Sequence, residues 1–126
     1  MSIPISSRQL RYFELAKKLS RKSDHHRHKL GCVIVNRNKI VGVGWNLLKT
    51  HPSSRNKYRT IHAELAAILG IDPADLHGSS VYVFRESTHG LALAKPCPTC
   101  NKMLQDCGVR EVIYTTNEGY DTYSYY

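Results

Sequence analysis

The chain has 126 residues, with 18 Lys and Arg against 10 Asp and Glu and with 41% hydrophobic residues. This length suits one domain, 1–126, with its own core and no linker, and no apolar run approaches the ~20 residues that a bilayer span requires. The charge is lopsided: residues 1–62 hold 14 Lys and Arg against 2 Asp and Glu, whereas residues 63–126 hold 4 against 8.

The first element expected is an amphipathic helix over 7–20, SRQLRYFELAKKLS, with Leu10, Phe13, Leu15 and Leu19 as its apolar stripe. RKSDHHRHK reads as a loop. CVIVN and KIVGVGWN are β-branched runs joined at Arg37 and Asn38, the pattern of an antiparallel hairpin. A polar stretch over 47–59 leads to a second helix carrying Ile61, Leu65, Ile68 and Leu69, ended by Gly70.

After a turn at Asp72 to Gly78, SVYVFR reads as a strand, and ESTHGLALAK as a small hairpin or flap. A third helix is expected from Cys97 to Cys107, stopped by Gly108, and VREVIYTT reads as a fourth strand. The tail 117–126, NEGYDTYSYY, lacks a period and is expected to be poorly fixed. Helices between strands favour parallel pairing while the first two strands pair as a hairpin, which predicts a mixed sheet covered by helices.

Two short stretches carry chemistry. In TIHAELAAILG, His62 and Glu64 stand two residues apart, ~200° around a regular helix, so they converge only at the very start of one. Thr60 as N-cap would place them there. In KPCPTCNKML, Cys97 as N-cap puts Pro98 at the first helical position and Cys100 one turn on, both sulfurs at the positive end of a helix dipole.

One imidazole and two thiolates suit tetrahedral Zn²⁺ with a fourth position open, a Lewis acid that lowers the pKa of bound water toward ~7. Glu64 is then the group that moves protons. PCxxC alone also fits a structural zinc knuckle or a redox pair. A closed knuckle needs a fourth ligand, and Cys107 lies ~10 Å along the helix from Cys100, which with Cys32 reads as core. His25, His26 and His28 read first as a solvated basic loop, and Tyr120, Tyr123, Tyr125 and Tyr126 are candidates for stacking on bases.

His62-Ala63-Glu64 followed by Pro96-Cys97-Pro98-Thr99-Cys100 resembles the H-x-E and P-C-x-x-C signature of the zinc-dependent cytidine deaminase superfamily. KLGCVIVNRNKIVGVGWN is similar to the hairpin and the G-x-N of deoxycytidylate and tRNA adenosine deaminases, so that the likeness covers about 8–116. It implies a three-layer α/β/α cytidine deaminase-like fold around a mixed sheet, in a minimal version lacking most of the C-terminal extension. It also implies that Asn46 contacts the sugar or base and that the Ala63 backbone binds the base edge.

Relatives commonly have T-x-x-P-C directly after the third strand. Here LAKPC stands in that place, with about ten extra residues after Phe84. The implied activity is hydrolytic deamination of cytosine in a free nucleotide, CMP or dCMP. The alternatives are a deaminase acting on nucleic acid (adenosine in tRNA, or cytosine in a single strand) and a non-catalytic zinc module that binds nucleic acid. The expected cofactor is Zn²⁺, the expected small-molecule partner a nucleotide, the expected assembly a homo-oligomer. MSIPISSRQLRYF lacks the pattern of a secretory signal, and the expected location is the cytosol, away from membranes.

Overall fold

The computed structural model describes residues 2–23, 29–47, 62–87 and 90–125. Helix α1 spans Ser7–Ser20 and opens with a capping box, in which the Gln9 N–H donates to Ser6 Oγ and the Ser6 N–H to Gln9 Oε1, both at 3.1 Å. Phe13, Ala16 and Leu19 form its buried stripe, while Leu10 of the expected stripe is 44% exposed.

Strands β1 (Leu30–Asn36) and β2 (Lys39–Trp45) form the expected hairpin. Arg37 and Asn38 connect them at φ 52° and 65°, both left-handed as a two-residue turn matched to strand twist requires. Short helices α2 (Ala63–Ile68) and α3 (Pro73–Leu76) follow, the latter within the stretch expected to be a turn. Next come β3 (Ser80–Ser87), its small partner β4 (Gly90–Leu91), α4 (Pro98–Asp106), β5 (Glu111–Thr116) and β6 (Gly119–Ser124).

The sheet runs β2-β1-β3-β5-β6, with β4 paired to β3 alone. β3 and β5 are parallel and the other pairs antiparallel, giving the mixed sheet that the element order predicts. Side chains alternate across it. Cys32, Ile34, Val81, Val83, Val112 and Tyr114 join the layer holding Ala63, Ala67 and Leu104 of α2 and α4. Val33, Val35, Tyr82, Phe84 and Ile113 face Phe13, Ala16 and Leu19 of α1. The result is three layers, α1 on one face and α2 with α4 on the other.

Gly44 sets how closely α2 approaches. A Cβ there would lie 2.5 Å from the Ala67 nitrogen and 2.6 Å from the Ala63 oxygen, so only glycine lets the α2 backbone rest directly on β2.

Two expectations are corrected. The second helix does not bury Leu65 and Leu69, which are 37% and 66% exposed; it buries Ala63, Glu64 and Ala67, because the contact with β2 is too close for leucines. The tail is not loose. β6 pairs with β5 through Val112↔Tyr123 and Tyr114↔Asp121, Tyr120 packs on Phe13 at 4.6 Å between ring centroids, and Tyr123 and Tyr125 pack against the main core. Among the described residues no helix is long and apolar enough to cross a membrane.

Candidate metal centre and its cleft

The site forms where α2 and α4 begin. His62 is the N-cap of α2 with extended φ/ψ of −71° and 149°, so its side chain is free of the helical wheel that would otherwise set it ~200° from Glu64. The cap expected at Thr60 lies outside the described residues; the helix itself starts directly after His62. Cys97 caps α4 as expected, with Pro98 following it and the Cys100 N–H donating to Cys97 Sγ at 3.5 Å.

These two helix starts bring the three expected donors together. His62 Nδ1 lies 3.2 Å from Cys100 Sγ and 3.7 Å from Cys97 Sγ, and all three donor atoms are within 4.8 Å of one another. Zinc bonded to nitrogen at ~2.1 Å and to sulfur at ~2.3 Å in a tetrahedron needs nitrogen–sulfur separations of about 3.6 Å. The donor set therefore fits Zn²⁺ in chemistry and in spacing. All four cysteines are free thiols; Cys32 is fully buried, and Cys107 packs against the same core without joining the donors.

Glu64, at the second position of α2, is 3% exposed and lines the same cleft as His62 and Cys97. Burial pushes its carboxyl up, an effect partly offset by Cys100 and His62. Burial and then the Glu64 charge push the Cys100 thiol well above its ordinary range, outweighing the helix-end effect expected from the sequence. A carboxylate and two sulfurs gathered in a half-buried corner are a placement that a divalent cation compensates.

Above the donors lies a cleft of about 350 Å³. Asn46 and Ala63 both line it, as the resemblance implies. Asn46 is 5% exposed, and its Oδ1 accepts the Leu30 N–H at 2.9 Å, which fixes the plane of the amide. Ala63 is the first helical residue after His62, where a backbone N–H has no acceptor within its own helix.

Arg85 and Lys95 also line the cleft. Arg85 was not singled out by the sequence, since it ends an otherwise ordinary strand pattern; the signal available was its place at the start of the extra residues before Pro96. Among the described residues, Tyr120, Tyr123 and Tyr125 pack into the fold and are not laid out as a stacking surface for bases. Their rings are engaged with one another, Tyr114 to Tyr123 at 5.8 Å and Tyr123 to Tyr125 at 5.5 Å, and the Tyr125 hydroxyl donates to Asn101 Oδ1 at 2.6 Å. His25, His26, His28, the 48–61 loop and Tyr126 lie outside the described residues.

The chain is similar to known proteins in sequence and in fold. Residues 6–116 match the family model described as the cytidine and deoxycytidylate deaminase zinc-binding region. The deoxycytidylate deaminase of Mus musculus is 34% identical over 105 residues, covering 72% of this chain and 54% of that protein, and that of Homo sapiens is 32% identical over the same span. The chain thus spans about half the length of these curated relatives. Among solved structures, the apo dCMP deaminase of cyanophage S-TIM5 aligns with TM-score 0.60 at 25% identity over 83% of this chain and 79% of that one. Cytidine deaminase from Burkholderia pseudomallei, at 19% identity and TM-score 0.67 over 95% of this chain, shares the fold. With its donor triad, its mixed sheet and a match over most of its length, the chain belongs to the cytidine and deoxycytidylate deaminase zinc-binding family.

Proposed function

We propose that this chain deaminates cytosine hydrolytically in a free nucleotide, converting CMP or dCMP to the uracil nucleotide with release of ammonia. The observation that carries the proposal is a buried carboxylate, Glu64, that lines the same cleft as His62 and Cys97 of the clustered metal donors. His62, Cys97 and Cys100 would hold Zn²⁺, whose contribution is Lewis acidity that makes water acidic enough to ionise near neutral pH.

The chain's own residues supply the rest. Glu64 accepts one proton from the attacking water and passes it to the ring nitrogen beside the attacked carbon, then takes the remaining hydroxyl proton as the carbonyl forms and delivers it to the amine, which leaves as ammonia. Asn46, its amide plane fixed by Leu30, orients the sugar or base, and the Ala63 N–H contacts the base edge. The identity with deoxycytidylate deaminases supports a nucleotide over a polynucleotide substrate.

The non-catalytic zinc module has no use for Glu64, whose burial costs stability that a structural site would not need to forgo. Self-association is part of the same proposal: Leu65 on α2 and Leu69 just after it, with Ile40 and Val43 at 47% and 40% exposure on β2, offer apolar surface on adjoining elements. Incubating the zinc-loaded protein with CMP, dCMP and cytidine while following ultraviolet absorbance tests the activity. Turnover of a nucleotide supports it, and inertness toward all three refutes it.

A further inference from the structure

The excursion between β3 and α4 is tied into the sheet by a residue that does not line the cleft. The parallel ladder of β3 and β5 ends at the pair Val83↔Tyr114. Beyond that pair the segment returning toward α4 takes up backbone groups of both strands: the Ala92 N–H donates to the Arg85 carbonyl at 3.0 Å, and the Ala94 N–H to the Thr115 carbonyl at 2.9 Å. Residues 92–94 thus form a wedge at the ends of the two strands.

Thr115 closes the wedge. Its side chain is fully buried, and its single hydroxyl serves two neighbours: Oγ1 accepts the Arg85 N–H at 3.0 Å and donates to the Ala92 carbonyl at 2.7 Å. Backbone and side chain of one residue therefore bond β3, β5 and the returning segment together. What they hold leads straight into the cleft, since Leu93, Ala94, Lys95 and Pro96 line it and the metal donor Cys97 follows. Ala92 and Ala94 are buried while Leu93 between them is 51% exposed, so a clamp on the two alanines sets where Leu93 stands.

We propose that Thr115 is a positioning residue for this wall, fixing the width of the cleft and so the affinity for substrate, with no part in the proton transfers. The proposal rests on the deaminase reading and adds a determinant of binding that lies behind the cleft. A valine in this place keeps the shape but leaves the Arg85 N–H and the Ala92 carbonyl short of a partner in the interior, where an unmet polar group is costly. The wedge then gains by moving out to water. The chemistry stays in place, because His62 and Glu64 are set by α2 and Cys97 and Cys100 by the start of α4.

Steady-state kinetics on the zinc-loaded protein with dCMP and CMP test this. In Thr115→Val, KM is expected to rise about tenfold, the worth of roughly one buried hydrogen bond, with kcat within about threefold of the unaltered protein and zinc content unchanged. Thr115→Ser keeps the hydroxyl and should bring KM back to within about threefold of the unaltered value. A threonine that served stability alone would lower the melting temperature and leave KM where it was; that result, or a serine variant as impaired as the valine one, overturns the role. Hydrogen exchange carries the test if Thr115→Val does not fold. In the unaltered protein the Ala92 and Ala94 amides lie outside the strands yet should exchange as slowly as those of β3, and rapid exchange at both overturns the clamp. An active enzyme with an unmoved KM in Thr115→Val overturns the clamp alone, whereas an unaltered protein inert toward both nucleotides overturns the deaminase reading and this role with it.

Discussion

His62 Nδ1 and Cys100 Sγ stand 3.2 Å apart although 38 residues separate them in the chain. Two helix N-termini meet there, each capped by a donor, and that meeting is what turns two short motifs into one centre. Substitution of any donor should therefore remove the metal as a unit. Cys97→Ser, Cys100→Ser and His62→Ala are each expected to lower zinc content below a tenth of one ion per chain and to reduce the melting temperature. A donor variant that kept stoichiometric zinc by elemental analysis would show that another residue serves as ligand.

Glu64 should separate metal binding from chemistry. Glu64→Gln keeps the side chain's size but cannot take a proton, so turnover is expected to fall by ~10²–10⁴-fold, the usual worth of general acid–base catalysis. Zinc content should stay near that of the unaltered protein. Steady-state rates and metal analysis on the same sample check both halves.

Chelation should act reversibly. Removing zinc with a strong chelator is expected to abolish turnover and to lower thermal stability, since a ligand that binds only the folded state adds stability by mass action. Adding Zn²⁺ back should restore both, and recovery of stability without recovery of turnover would place the metal in a structural role.

Gly44 fixes α2 against β2, and α2 carries His62 and Glu64 at its start. Gly44→Ala is expected to cost about 1–3 kcal/mol, because its Cβ meets backbone and not a movable side chain. Denaturant unfolding measures the loss; a change below ~0.5 kcal/mol would mean that the helix shifts without strain.

Tyr125 ties the last strand to the metal helix through Asn101, the residue after Cys100. Tyr125→Phe deletes that hydrogen bond and is expected to cost about 1 kcal/mol. Hydrogen exchange in α4 should rise with it. Unchanged protection there would detach the tail from the site.

Much of this was legible because it is local. Ser6 with Gln9 announces α1, Arg37-Asn38 announces a hairpin turn, and Cys97-Pro98 announces a helix start, each by a mechanism confined to a few residues. The donors were legible because zinc chemistry demands particular residue types at particular spacings. What stayed hidden depends on partners distant in sequence. Leu65 and Leu69 read as core by period, yet Gly44, some twenty residues earlier, draws the backbone so close that alanines take the inner face. β6 stayed hidden for the reverse reason. Tyr123 and Tyr125 alternate outside any aliphatic run, and their burial appears only once β5 and α4 supply something to pack against. Arg85 and Lys95 meet at one cleft only through the fold of the excursion between them.

The most direct measurement is zinc content and cytosine turnover determined together on one preparation supplied with dCMP and CMP. One ion per chain, with uracil nucleotide and ammonia formed in equal amounts, is the predicted result. Full zinc occupancy with no loss of the amine from either nucleotide, or turnover undiminished after complete zinc removal, would contradict it.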